Sequence, residues 1–112
     1  MNTKEVVLLK GVREFCLENI DNVIVNKKLF MLNKLGYACF FQLDEKTRES
    51  IDAYSVRVYQ TLGIDKKELA SFQRLGRYTV SIYEEMLNLY GLSLNKKLDD
   101  EVYKTLIKSL NK

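Results

Sequence analysis

Lys66-Lys67-Glu68-Leu69-Ala70-Ser71-Phe72-Gln73-Arg74-Leu75-Gly76-Arg77-Tyr78-Thr79-Val80-Ser81-Ile82-Tyr83-Glu84-Glu85-Met86 contains no proline, and its apolar side chains recur at helical spacing. Leu69, Phe72, Gly76, Thr79, Tyr83, Met86 and Tyr90 fall on one face of a helical repeat. The run opens behind Asp65, with Glu68 three residues on, a variant of the capping box. It closes at Gly91-Leu92, a glycine stop followed by an apolar residue. The spacing therefore predicts a long amphipathic helix over 66–90. Gly76 lies on its apolar face. Two readings of that glycine stay open: it admits another backbone at close range, or it breaks the segment into two shorter helices.

The same signals extend outward in both directions. A first helix is expected over 3–19, capped by Asn2 with Glu5, and Leu8, Leu9, Val12, Phe15 and Cys16 share its apolar face. Asp21-Asn22 then breaks the run. A second helix over 23–35, apolar on most sides, ends at Gly36 as its C-terminal cap. A third, capped by Asp44, covers 45–62 and buries Ile51, Tyr54, Ser55, Val58 and Leu62. The last spans 100–110, with Asp99 as cap, Leu98 and Tyr103 as hydrophobic staple, and acidic residues loading its first turn. Between the second and third helices, Tyr37-Ala38-Cys39-Phe40-Phe41-Gln42-Leu43 is short, aromatic and uncharged. Periodicity alone does not separate strand from buried helix there. No second strand exists to pair with it, so the segment reads as irregular or helical. The expected fold is all-α: one domain over 1–112, a bundle of about four or five helices with short loops.

Composition narrows the chemistry. The 112 residues include no proline, no histidine and no tryptophan. Without proline, long helices run until a glycine stops them. Without histidine, the usual general base and the commonest metal ligand are missing. No serine or cysteine has an imidazole to activate it. Glu84-Glu85 and Asp99-Asp100-Glu101 are adjacent in sequence and read as solvated surface and helix-start charge. No glycine-rich phosphate loop is present. Cys16 and Cys39 each sit among apolar neighbours and read as free, buried thiols. No apolar stretch is long enough for a signal peptide or a membrane span. The expectation is a cytoplasmic protein with no catalytic residues, no cofactor, no metal and no membrane insertion.

Two surfaces stand out as binding candidates. Arg57, Arg74 and Arg77 form the first; on a continuous helix Arg74 and Arg77 point away from the apolar stripe, and Tyr78 follows Arg74 by four residues. Arginine interleaved with aromatics serves nucleic-acid or protein partners. The bland alternative is a solvated face with Tyr78 covering the arginine stem. The second surface is aromatic: Phe30, Tyr37, Phe40 and Phe41 are concentrated in one short region. Two helices can bury them, or they form an apolar recognition patch, which a homodimer contact would also use.

Leu69-Ala70, Leu75-Gly76 and Thr79-Val80-Ser81 loosely resemble a helix-turn-helix motif, which joins two helices by a short turn. Gly76 falls later after Ala70 than the familiar spacing, and no cluster of base-reading Arg, Gln or Asn follows on one face. The net charge of +3 is mild for a duplex binder. The leading expectation is thus a non-enzymatic cytosolic module whose partner is another protein, in the manner of a small immunity, inhibitor or anti-factor protein. Phe30, Phe41, Tyr78, Arg74, Arg77 and Arg57 are its candidate contact residues. The alternative is a helix-turn-helix-like nucleic-acid-binding regulator using the helix around 66–90.

Overall fold

The computed structural model of the chain describes residues 3–23, 31–95, 101, 104–106 and 108. The fold is all-α, and the described residues include no β-strand. Helices α1 (Thr3–Leu9), α2 (Val12–Val23), α3 (Leu32–Phe41), α4 (Glu45–Ser50) and α5 (Val58–Thr61) precede α6 (Lys66–Ser71), a 3-10 turn (Phe72–Arg74) and α7 (Arg77–Asn88). The expected Asn2 cap, Phe30, the Asp99 cap and the Leu98–Tyr103 staple lie outside the described residues. Of the expected closing helix, residues 101, 104–106 and 108 are helical, and Leu106 is buried.

The expected first helix, third helix and helix over 66–90 are each divided, and each break has a physical cause; residues 24–30 of the expected second helix lie outside the described residues. The expected first helix parts at Lys10-Gly11. There the Val12 amide donates to the Val56 carbonyl and the Val58 amide to the Lys10 carbonyl, both at 2.9 Å. Gly11 and Arg57 thus form an isolated antiparallel bridge. The same pairing breaks the expected third helix. After Ser50 the chain extends at Ile51 (φ −137°, ψ 162°). Asp52 Oδ1 then accepts from the Tyr54 amide at 2.8 Å and the Ser55 hydroxyl at 3.1 Å. Tyr54 and Ser55 are exposed, contrary to the expected buried face, and Val56 is buried instead.

Asp21 and Asn22 do not end a helix, because α2 continues to Val23. Asparagine is accommodated there by back-bonding: the Asn19 amide donates to the Phe15 carbonyl at 2.8 Å, and Tyr90 Oη donates to Asn19 Oδ1 at 2.7 Å. Gly36 is not a cap but an interior residue of α3. Leu35, Ala38 and Cys39 continue the buried face past it; that burial outweighs the roughly 1 kcal/mol that glycine costs a helix. The ambiguous aromatic segment is helical through Phe41.

The core is a junction of α2, α3 and α7, with α1 against α5 and α6 against α7. Phe15 of α2 is fully buried and meets the rings of Tyr83 and Tyr90 edge-on, at 6.2 Å and 5.7 Å between centroids. Tyr83 is also fully buried, its hydroxyl 2.7 Å from Thr61 Oγ1. The Thr61 proton is committed to the Val58 carbonyl at 2.8 Å, so Tyr83 is the donor to Thr61. Among the described residues, every buried side-chain nitrogen and oxygen is satisfied.

Cys16 and Cys39 are free and buried in this junction. Burial pushes the Cys39 thiol up to about 12. Burial, and then the proximity of Cys39, raises Cys16 as well. Tyr83 is raised by burial and then by the two cysteines. The consequence is alkaline sensitivity. Below pH 9, the ordinary thiol value, both states hold the protons. Above it, the unfolded chain releases them while the folded chain retains them. The unfolded state then binds fewer protons, so stability falls as pH rises. Denaturant melts between pH 9 and pH 12 should lose up to about 1.4 kcal/mol per pH unit for each thiol. Cys16→Ala and Cys39→Ala should each flatten the slope. A slope equally steep without the thiols would assign it to other groups.

Candidate functional site: the α6–turn–α7 surface

The segment expected as one helix over 66–90 is two helices joined by a tight turn. Asp65 begins it as anticipated: its Oδ1 accepts from the amides of Lys67 at 2.8 Å and Glu68 at 3.1 Å. After Ser71 the chain tightens into the 3-10 turn. Gln73 (φ 46°) and Arg74 (φ 59°) adopt left-handed backbone without being glycine. Gly76 precedes α7 at φ 92°, ψ 154°. Two backbone bonds hold the turn: Leu75 N–H to the Phe72 carbonyl at 2.9 Å and Gly76 N–H to the Ala70 carbonyl at 2.8 Å. Of the two readings of Gly76, the break is correct. No neighbouring atom lies within 4 Å of where its Cβ would stand, so it accommodates no close backbone approach.

Burial fixes which way this unit faces. Leu69, Leu75, Val80 and Tyr83 are buried and hold both helices to the core. Lys66, Lys67, Ser71, Gln73, Arg74, Arg77, Tyr78 and Ser81 are exposed. A groove between α6 and α7 is lined by Lys66, Lys67, Ala70, Ser71, Gly76, Arg77 and Ser81. Lys66 Nζ pairs with Glu84 Oε1 at 2.9 Å across it. The other carboxylate oxygen of Glu84 accepts from the Leu94 amide at 3.2 Å. Lys67, Arg74 and Arg77 have no carboxylate partner among the described residues. Acidic side chains lie close by: Glu84 pairs with Lys66, Glu85 is exposed on α7, and Asp44, Asp65 and Glu68 line a second groove beside Gln60 and Gly63.

The structure gathers some of the anticipated contact residues and separates others. Arg74 lies in the turn, not on a helix, so it has no one-turn relation to Tyr78. Arg77 and Tyr78 open α7 side by side, with Tyr78 half-exposed. Arg57 belongs to another part of the fold. Its guanidinium donates to the Leu9 carbonyl at 2.8 Å, and its amide donates to Gln60 Oε1 at 2.9 Å. Phe41 lies on α3 within an aromatic ledge. Its ring stacks on Phe72 at 5.5 Å and 16°, with Tyr37 at 4.8 Å on the same cluster. Phe41 and Tyr37 are 37% and 42% exposed, so the aromatics are only partly buried. Lys67, Gln73 and Ser81 were not anticipated. The available signal was the lysine pair directly behind the Asp65 cap.

The late glycine was one of three objections to a helix-turn-helix; the missing cluster of base-reading Arg, Gln or Asn and the mild net charge of +3 still stand against it. The left-handed residues come earlier, at Gln73 and Arg74, three and four positions after Ala70. No protein-family model, curated protein or solved structure matches the chain. No helix among the described residues is long and apolar enough to cross a membrane.

Proposed function

We propose that the chain is a regulator that docks duplex DNA with its α6–turn–α7 unit. The observation that carries this reading is the arrangement of 66–88: a capped helix, a turn held by left-handed residues, and a second helix, with its cations outside. Helix-turn-helix units present the start of the second helix to the major groove while the first crosses the backbone. Arg77, Tyr78 and Ser81 are exposed at the start of α7, and Lys66-Lys67 at the start of α6. Lys67, Arg74 and Arg77, without carboxylate partners among the described residues, suit a polyanion better than a neutral protein surface. In this reading the protein binds, does no chemistry, and works in the cytosol.

The test is fluorescence anisotropy of labelled genomic duplex fragments with the full chain. Binding should be strong at about 50 mM salt and fall steeply by about 200 mM, since each neutralised phosphate contributes a slope near −0.9 in log K against log salt. Arg74→Glu combined with Arg77→Glu should abolish binding while leaving the helical circular dichroism signal intact, because both side chains face solvent. Absence of salt-dependent duplex binding would sink the proposal.

A second reading is favoured by the ledge of Tyr37, Phe41 and Phe72, together with Tyr54, which is 77% exposed. Exposed aromatics of this kind form interface hot spots. A protein partner of the immunity, inhibitor or anti-factor type, or a second copy of the chain, would engage that ledge rather than the basic groove.

A further inference from the structure

Resting on the DNA-docking reading, we infer that the surface divides its work: Arg77 reads a base pair, with Ser81 beside it, while Lys67 and Arg74 hold the phosphate backbone. The division follows from where each side chain is mounted. Arg77 is the first residue of α7, and it follows a glycine with open space around it. Ser81 stands four residues on, one helical turn away on the same face. Both line the groove between α6 and α7. Lys67 projects from the first turn of α6 and Arg74 from the turn between helices, so they flank α7 instead of lying on it.

Charge limits how much of α7 can enter. Its exposed face continues from Ser81 to Glu85, with the partly buried Glu84 beside it. Glu84 is engaged by Lys66 and the Leu94 amide, which leaves Glu85 as an acid on that face without a cationic partner among the described residues. A carboxylate is repelled by the phosphates that line either groove wall. Residues 77–81 span only about 6 Å of helix axis at 1.5 Å per residue. The major groove is about 12 Å wide and admits such a helix end. The readable stretch is therefore short, two or three base pairs for each chain.

Side-chain chemistry assigns the roles. Arginine in the major groove matches the O6 and N7 acceptors of guanine with two parallel hydrogen bonds. Lysine is a flexible point charge that suits phosphate without fixing a base. Arg74 is carried by a turn with left-handed backbone, beside the helix end, where the groove wall presents phosphate. Phosphate contacts set register and orientation but carry no sequence information. The ligand is thus duplex DNA with a guanine in a short recognised core.

Selection from a random duplex library, followed by equilibrium binding of each variant, tests this division. The wild-type chain should enrich a short motif containing guanine. Arg77→Ala should retain binding but lose discrimination at that guanine by roughly 5- to 100-fold. Lys67→Ala and Arg74→Ala should weaken all sequences equally and reduce the salt slope by about 0.9 each, leaving the motif unchanged. Thermal melts of the three variants should match wild type, since all three positions are exposed. If Arg77→Ala keeps the motif, or Lys67→Ala changes it, the division is wrong although duplex docking stands. Sequence-independent duplex binding by the wild type overturns it in the same way. A wild-type chain that prefers single-stranded RNA, or binds no nucleic acid, overturns both this inference and the docking reading beneath it.

Discussion

Phe15→Ala should cost about 3–5 kcal/mol of stability, the usual range for removing a fully buried aromatic ring. The ring fills the space between α2 and α7, edge-on to both Tyr83 and Tyr90. Helix α2 also supplies Asn19, whose carbonyl oxygen accepts from Tyr90, so collapse of α2 toward α7 is resisted by a fixed hydrogen bond. Domains are stable by only about 5–15 kcal/mol, so this one change removes a large share of the total. Denaturant melts of wild type and variant measure it. A loss below about 1 kcal/mol would mean that the α2–α7 junction repacks freely and does not organise the fold.

Two local signals in the sequence led to the right local structure, whereas the expected break at Asp21-Asn22 and the expected cap at Gly36 did not. Asp65 caps α6, and Gly91 (φ 73°) ends the α7 region, with the Leu92 amide reaching the Leu87 carbonyl at 3.0 Å. Both motifs depend on neighbours within a few residues, which is why they were legible. Helix length was not legible, because the chain breaks helices without proline. At Lys10–Val12 and Val56–Val58 the cause is pairing between backbones more than 40 residues apart, which no local window contains. At Asp52 the breaker is a side chain that caps the following turn. At Gln73 and Arg74 the turn uses left-handed residues that are not glycine, so a search for glycine places it too late. Arg77 and Tyr78 were identifiable as exposed from the period; Arg74 is exposed too, but because it lies in the turn and not because of a helix face. Their relation to Lys67 and Ser81 was not legible, since a straight helix over 66–90 lacks the turn that forms the groove. The aromatic segment 37–43 hid its type because both of its faces are apolar. Its partner Phe72 comes from the turn that the long-helix reading omits.

Gly76→Ala settles the turn by the sign of its effect. In a continuous helix the substitution would stabilise by about 1 kcal/mol, the propensity difference between alanine and glycine. In the structure Gly76 sits at φ 92°, ψ 154°, a region open almost solely to glycine. Forcing a Cβ into it costs about 1–3 kcal/mol. Crowding does not contribute, because the added atom meets nothing within 4 Å. The cost is therefore backbone strain alone, and the chain relieves it by rotating φ or ψ of residue 76 at the entrance to α7. That rotation would redirect Arg77 and Tyr78 and loosen the Gly76–Ala70 hydrogen bond. Gly76→Ala should accordingly melt at lower denaturant than wild type and, under the proposed DNA-docking role, also bind duplex DNA more weakly, although it removes no charge. The paired loss is the informative result, because a purely electrostatic surface would lose stability without losing affinity once refolded at low temperature. A variant more stable than wild type would restore the uninterrupted helix over 66–90 and remove the groove from the protein.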